Sequence, residues 1–92
     1  MVIHRFEVPR DDQVHEVPFW GGVLAVNCPN VDLVEFWALD APGQALAPRR
    51  MQVVGTGQPL PAGFRYWGSA TPARVDAWQA RVVWHLIELD AL

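Results

Sequence analysis

The chain has no lysine. All seven of its basic residues are arginine, against ten acids, for a formal charge of −3 over 92 residues. With no side-chain amine, Schiff-base chemistry is excluded. No basic run is longer than Arg49-Arg50. Binding to duplex nucleic acid draws on several clustered cations, so no such partner is expected. Cysteine is equally scarce. Cys28 is alone, which rules out an intramolecular disulfide and points to a reducing compartment. Long apolar runs are missing too. None approaches the ~18 residues of a membrane span, and the opening MVIHRFEVPRDD does not read as a signal peptide. The expectation is a soluble, cytosolic protein.

Charge is sparse at 18 %, and hydrophobic residues reach 51 %, which argues for a packed domain rather than disorder. A chain this short buries about 60–65 % of its unfolded surface, so one thinly stabilised domain spanning residues 1–92 is expected. Five Trp are available to thicken its core. Most should be buried, and any surplus would mark a contact surface.

The pattern is that of strands. Val2, His4, Phe6 and Val8 alternate with Ile3, Arg5 and Glu7, the period of two of a half-buried strand. Further strands are predicted at Gln13–Val17, Val23–Cys28, Leu33–Leu39, Arg49–Val54, Phe64–Ala70 and Arg81–Leu89. Pro9–Asp12 is a turn that could join the first two as a hairpin. Pro18 leads into a kinked connection at Phe19–Gly22. Thr71–Gln79 fits one helical turn or a loop. About seven short strands spaced by Pro and Gly predict an all-β fold, an antiparallel sandwich or a partly closed barrel.

Catalytic groups are hard to find. Gly55-Thr56-Gly57 looks like a phosphate loop, but Gln58-Pro59-Leu60-Pro61 cannot continue as a helix and no Lys follows. It reads as a turn that needs glycine. His4, His15, His85 and Cys28 have no metal-ligand spacing, so no metal or other cofactor is expected. His4 and His85 lie among apolar neighbours, as core imidazoles do. Cys28 precedes a proline with no cation beside it and reads as a buried, inert thiol. Glu35 and Glu88 stand in otherwise apolar strands. They are either a buried acid pair tuned for proton transfer or solvated edge residues, and the second is the simpler expectation. Tyr66-Trp67 and Trp84-His85 could form an aromatic platform, or serve core and interface. No catalytic residue is assigned. The residues best placed for a small, nucleotide-like or anionic ligand are Arg50, Thr56, Gln58, Trp67 and His85.

The chain resembles a family of small, uncharacterised phage and prophage proteins. The resemblance is carried by Val2–Pro9, Trp37-Ala38-Leu39-Asp40, and Arg49-Arg50 leading into Val54-Gly55-Thr56-Gly57 with Pro59. Val83-Trp84-His85-Leu86 with Glu88 completes it. Two departures stand out: Gln58 where relatives carry His, and a longer Phe64–Arg81 stretch containing Asp76-Ala77-Trp78. The resemblance implies an all-β fold and a phage or prophage origin, with no activity attached. The expected function is non-enzymatic: an oligomeric binding protein in the host cytoplasm that contacts itself or a host or phage protein. A ligand-sequestering protein and a minor virion component are the alternatives.

Overall fold

The computed structural model describes residues 1–73 and 82–90. Among these residues seven strands are formed: β1 (Val2–Pro9), β2 (His15–Pro18), β3 (Trp20–Asn30), β4 (Leu33–Asp40), β5 (Pro48–Gly55), β6 (Arg65–Ala70) and β7 (Trp84–Glu88). They make two antiparallel sheets, ordered β1-β4-β3 and β2-β5-β7-β6. The fold is therefore a sandwich and not a closed barrel. Beyond Ala73, the Thr71–Gln79 question lies outside the described residues, as does the Arg81 start expected for the last strand.

Alternation decides which side chains meet between the layers. From the three-stranded sheet come Val8, Val34, Phe36 and Ala38. Val17, Met51, Val53 and Leu86 come from the four-stranded one, and Phe19 and Cys28 join them. Phe36 stacks on Phe6 at 5.3 Å and takes the edge of Phe19 at 5.2 Å, offset and T-shaped contacts of the kind aromatic rings favour. The layers close tightly where β3 crosses β6. A Cβ at Gly68 would stand 2.8 Å from Val26 Cγ2, so glycine there sets the spacing.

β1 and β2 do not form a hairpin. β1 pairs with β4 and β2 with β5, so the intervening turn carries the chain from one sheet to the other. The physical reason is the core. Val8 and Val17 are both buried and fill it from opposite layers. Arg10 holds the crossover: its backbone N–H reaches Asp32 O at 2.8 Å, and its guanidinium donates to Val31 O at 2.7 Å and Asp32 at 3.0 Å. The kink expected before the third strand lies inside it, as a register shift between Trp20 and Ala25.

Other expectations also change. None of the four described Trp is fully buried: Trp37, Trp67 and Trp84 are half-buried and Trp20 is 52 % exposed. A sandwich of two small sheets has room for Phe, Met and Leu between its layers, and the larger indoles sit at its margins. His4 is exposed, its ring edge against Phe6 at 4.8 Å. Cys28 is buried and donates to Asn30 O at 2.9 Å. Burial pushes its thiol pKa up, which suits an unreactive group.

Glu35 and Glu88 are neither solvated nor paired with each other. Both are buried, in different sheets. Glu35 accepts from Asn27 at 2.7 Å and Arg5 at 3.3 Å. Glu88 is clamped by Arg49, whose Nε and Nη2 donate at 2.8 and 2.7 Å, and by Trp67 Nε1 at 2.9 Å. Arg49 also donates to Gly21 O at 2.6 Å and lies 3.8 Å above the Phe19 ring. One guanidinium thus ties β5, β7 and the start of β3 together, a bidentate geometry that lysine could not supply. Hydrogen bonds from Arg49 hold the Glu88 carboxyl below its ordinary pKa, against the opposing effect of burial.

Candidate functional site

A pocket of about 250 Å³ opens on the outer face of the four-stranded sheet, where β5 runs into its turn. Register sets its floor. Val54 aligns with His85, and Gln52 with Ile87 and then Tyr66. These residues alternate with the core-facing Val53 and Leu86, so they point away from the core. Val54 and Ile87 are nonetheless buried, and Leu60 from the following loop forms a further wall.

The turn shapes the rim. Gln58 N–H donates to Gly55 O at 3.2 Å, and Gly57 takes φ +92°, a conformation that favours glycine at the third position of such a turn. The Gln58 side chain braces the same turn. Its Oε1 accepts from the Gly55 N–H, and its Nε2 donates to Asp12 Oδ1 at 3.2 Å. Thr56 is thereby aimed at His85, with Oγ1 3.0 Å from Nε2. On the other side, Tyr66 OH lies 2.9 Å from His85 Nδ1, with the rings 5.7 Å apart and tilted. A half-buried imidazole is therefore suspended between two hydroxyls above an apolar floor.

Three of the five residues singled out in the sequence, Thr56, Gln58 and His85, line this pocket. Arg50 is exposed and pairs with Asp90. Trp67 is engaged with Glu88 and packs against the core, so it stands apart from Tyr66 despite being its neighbour. Strand alternation accounts for the separation, since Tyr66 pairs with the outward-facing Ile87 and the next residue turns to the other face. Sequence reasoning passed over Val54, Leu60 and Ile87, and did not rank Tyr66 with the ligand residues. Strand alternation relative to His85 is the signal that could have found Val54 and Ile87. Nothing local marks Asp12 as the partner of Gln58. Among the described residues, no three His, Cys, Asp or Glu side chains gather as a metal ion would require.

Fold and pocket together define a small antiparallel β-sandwich domain with a polar-rimmed cleft on an outer sheet face. The chain belongs to the family described as domain of unknown function DUF7352, whose model matches residues 1–91. No curated protein and no solved structure matches it.

Proposed function

We propose that this is a non-enzymatic binding protein that self-associates through the outer face of its three-stranded sheet. A phage or prophage origin and action in the host cytosol belong to the same proposal and rest on the resemblance described above. The observation that carries the reading is an apolar band left open on that face. Ile3, Leu39 and Trp20 align across β1, β4 and β3, beside the row Arg5, Trp37 and Ala25. Ile3 is 65 % exposed and Trp20 52 %, with Leu24 exposed at the adjoining bulge. Contiguous apolar surface of this kind, edged by polar groups, is typical of contact sites.

The charges beside the band favour a second copy as the occupant. Arg5 and Glu7 stand together on the same face, 3.7 Å apart. A twofold contact brings a patch against itself. A patch of one sign would repel its copy, whereas adjacent charges of both signs can pair across the axis. Burial against a copy would also widen the narrow stability margin of a 92-residue domain. Sedimentation velocity tests the proposal: the wild type should sediment as a dimer, and Trp20→Glu and Ile3→Glu as folded monomers. A wild-type monomer, or variants that still dimerise, would overturn it.

A further inference from the structure

We infer that β1 is a self-pairing edge. It adds to the same strand of a second copy, antiparallel, with Phe6 opposite the partner's Phe6 and Arg5 opposite the partner's Glu7. This contact runs along the rim of the three-stranded sheet. It is separate from the face contact proposed above and does not depend on it; where both form, face dimers join into larger assemblies.

The argument starts from backbone groups. β1 lies at one side of its sheet. Its eight residues pair with β4 in one unbroken register, and among the described residues no strand pairs with its other edge. Arg10 shows which peptide groups face which way. Its N–H bonds Asp32 O at 2.8 Å, and these two positions continue the β1–β4 register. The even-numbered residues of β1 therefore turn their N–H and C=O groups toward β4, and Ile3, Arg5, Glu7 and Pro9 turn theirs outward. An open row of this kind is a template for another strand, commonly blunted by lysine or a bulge. β1 has no bulge and the chain has no lysine. Pro9 ends the row at one side, since it has no N–H to offer.

Symmetry limits the registers. A twofold axis perpendicular to the sheet sets β1 beside its copy and keeps each face on its own side. Side chains alternate, so opposed residues must both be odd or both even, and the axis passes through a residue rather than between two. Two registers give the longest overlap, Val2–Val8 centred on Arg5 and Ile3–Pro9 centred on Phe6.

Charge decides between them. Centring on Arg5 sets it against the partner's Arg5 and leaves Glu7 opposite an isoleucine. Like charges directly opposed destabilise a ladder. Centring on Phe6 sets Arg5 against the partner's Glu7 twice, once on each side of the axis. Each of these pairs exchanges two backbone hydrogen bonds, and each Ile3 N–H reaches the carbonyl of the partner's Pro9. The side chains suit the same register. Arg5 donates to Glu35 at 3.3 Å, which holds it over the outer face. Glu7 stands 3.7 Å from Arg5, too far for a hydrogen bond, so its carboxylate is open to the partner's guanidinium.

One strand per side is a small contact, and Kd on the order of 0.1–1 mM is expected. Sedimentation at about 10 µM therefore reads the face contact alone. The edge is tested on the full chain carrying Trp20→Glu, which removes the face contact, with the wild type in parallel in case that variant does not fold. Amide hydrogen exchange is followed by NMR from about 0.02 to 2 mM. Exchange at Ile3, Arg5 and Glu7 should slow about twofold or more over that range, while His4, Phe6 and Val8, already turned to β4, keep their rates. Glu7→Arg faces Glu35 across the ladder, so the fold should keep it, and it should weaken pairing about tenfold or more. Arg5→Glu should do the same. An equimolar mixture of the two variants should pair within about threefold of the parent, because each strand then sets acids against bases. Three results would overturn the proposal: exchange at Ile3, Arg5 and Glu7 that ignores concentration, undiminished pairing by Glu7→Arg, or a mixture that pairs no better than its components. A wild type that is monomeric at about 10 µM yet keeps the alternating protection would refute the face contact and support the edge.

Discussion

Replacing Arg49 by Met should be the most damaging single change that leaves the apolar core untouched. In the native protein the guanidinium donates twice to Glu88, once to Gly21 O, and covers the Phe19 ring. Methionine retains much of the packing and none of the charge. Glu88 is then left at 7 % exposure with Trp67 Nε1 as its remaining side-chain donor among the described residues. Breaking a buried pair from one side costs about 3–5 kcal/mol. Arg49 retains 22 % side-chain exposure, and water tempers the cost, so about 3 kcal/mol at neutral pH is expected. For a domain of this size that lowers Tm by roughly 12–24 °C. The pH dependence is the sharper check. Hydrogen bonds from Arg49 lower the Glu88 pKa in the folded state, so below its ordinary value of 4.5 the unfolded chain binds more protons than the folded one. The contribution of the clamp is complete above that pH, and it is lost as pH falls through the lowered folded value. In the variant, burial favours a protonated Glu88, and the acid-induced loss should shrink. Urea denaturation of both proteins from neutral pH downward measures this. The stability gap should be widest near neutrality and close to about 1 kcal/mol at acid pH, leaving the lost cation–π contact. A neutral-pH gap under about 1 kcal/mol, or one that does not narrow with acid, would refute the reasoning.

Gly68→Ala places a methyl 2.8 Å from Val26 Cγ2 and should cost about 1–3 kcal/mol by overpacking. Adding Val26→Ala should recover part of that loss, as a double-mutant cycle in urea would measure. Cys28 is buried with its thiol pKa raised, so a thiol reagent should label it only in step with unfolding. Labelling much faster than global unfolding would contradict its placement. Gln58→Ala removes the brace on Gly55 and Asp12. It should release the turn and cost about 1 kcal/mol, with the Thr56–His85 contact loosened in the NMR signals of the His85 ring.

Much of the fold was legible in order. Strand after strand, alternation and proline or glycine punctuation located seven segments within a few residues of where they lie, because both signals are local. Pairing was not legible. The Pro9–Asp12 turn suits a hairpin as well as a crossover, and only the demand of one core for Val8 and Val17 from opposite layers decides between them. Burial of charge was opaque for the same reason. Glu88 looks like an edge residue until Arg49, thirty-nine positions away, closes over it.

The site divides along the same line. Composition alone disfavours amine chemistry, disulfides and sequence-blind nucleic-acid binding, since a missing residue type is missing in every fold. The prolines behind Gly55-Thr56-Gly57 already made that segment a turn. Tertiary structure decided what the turn is for. It carries Thr56 to one nitrogen of His85 while β6 carries Tyr66 to the other, and it turns Arg50 and Trp67 away to Asp90 and Glu88. Three segments far apart in the chain make that arrangement, and sequence spacing holds no record of distances between strands that meet only in the folded sheet.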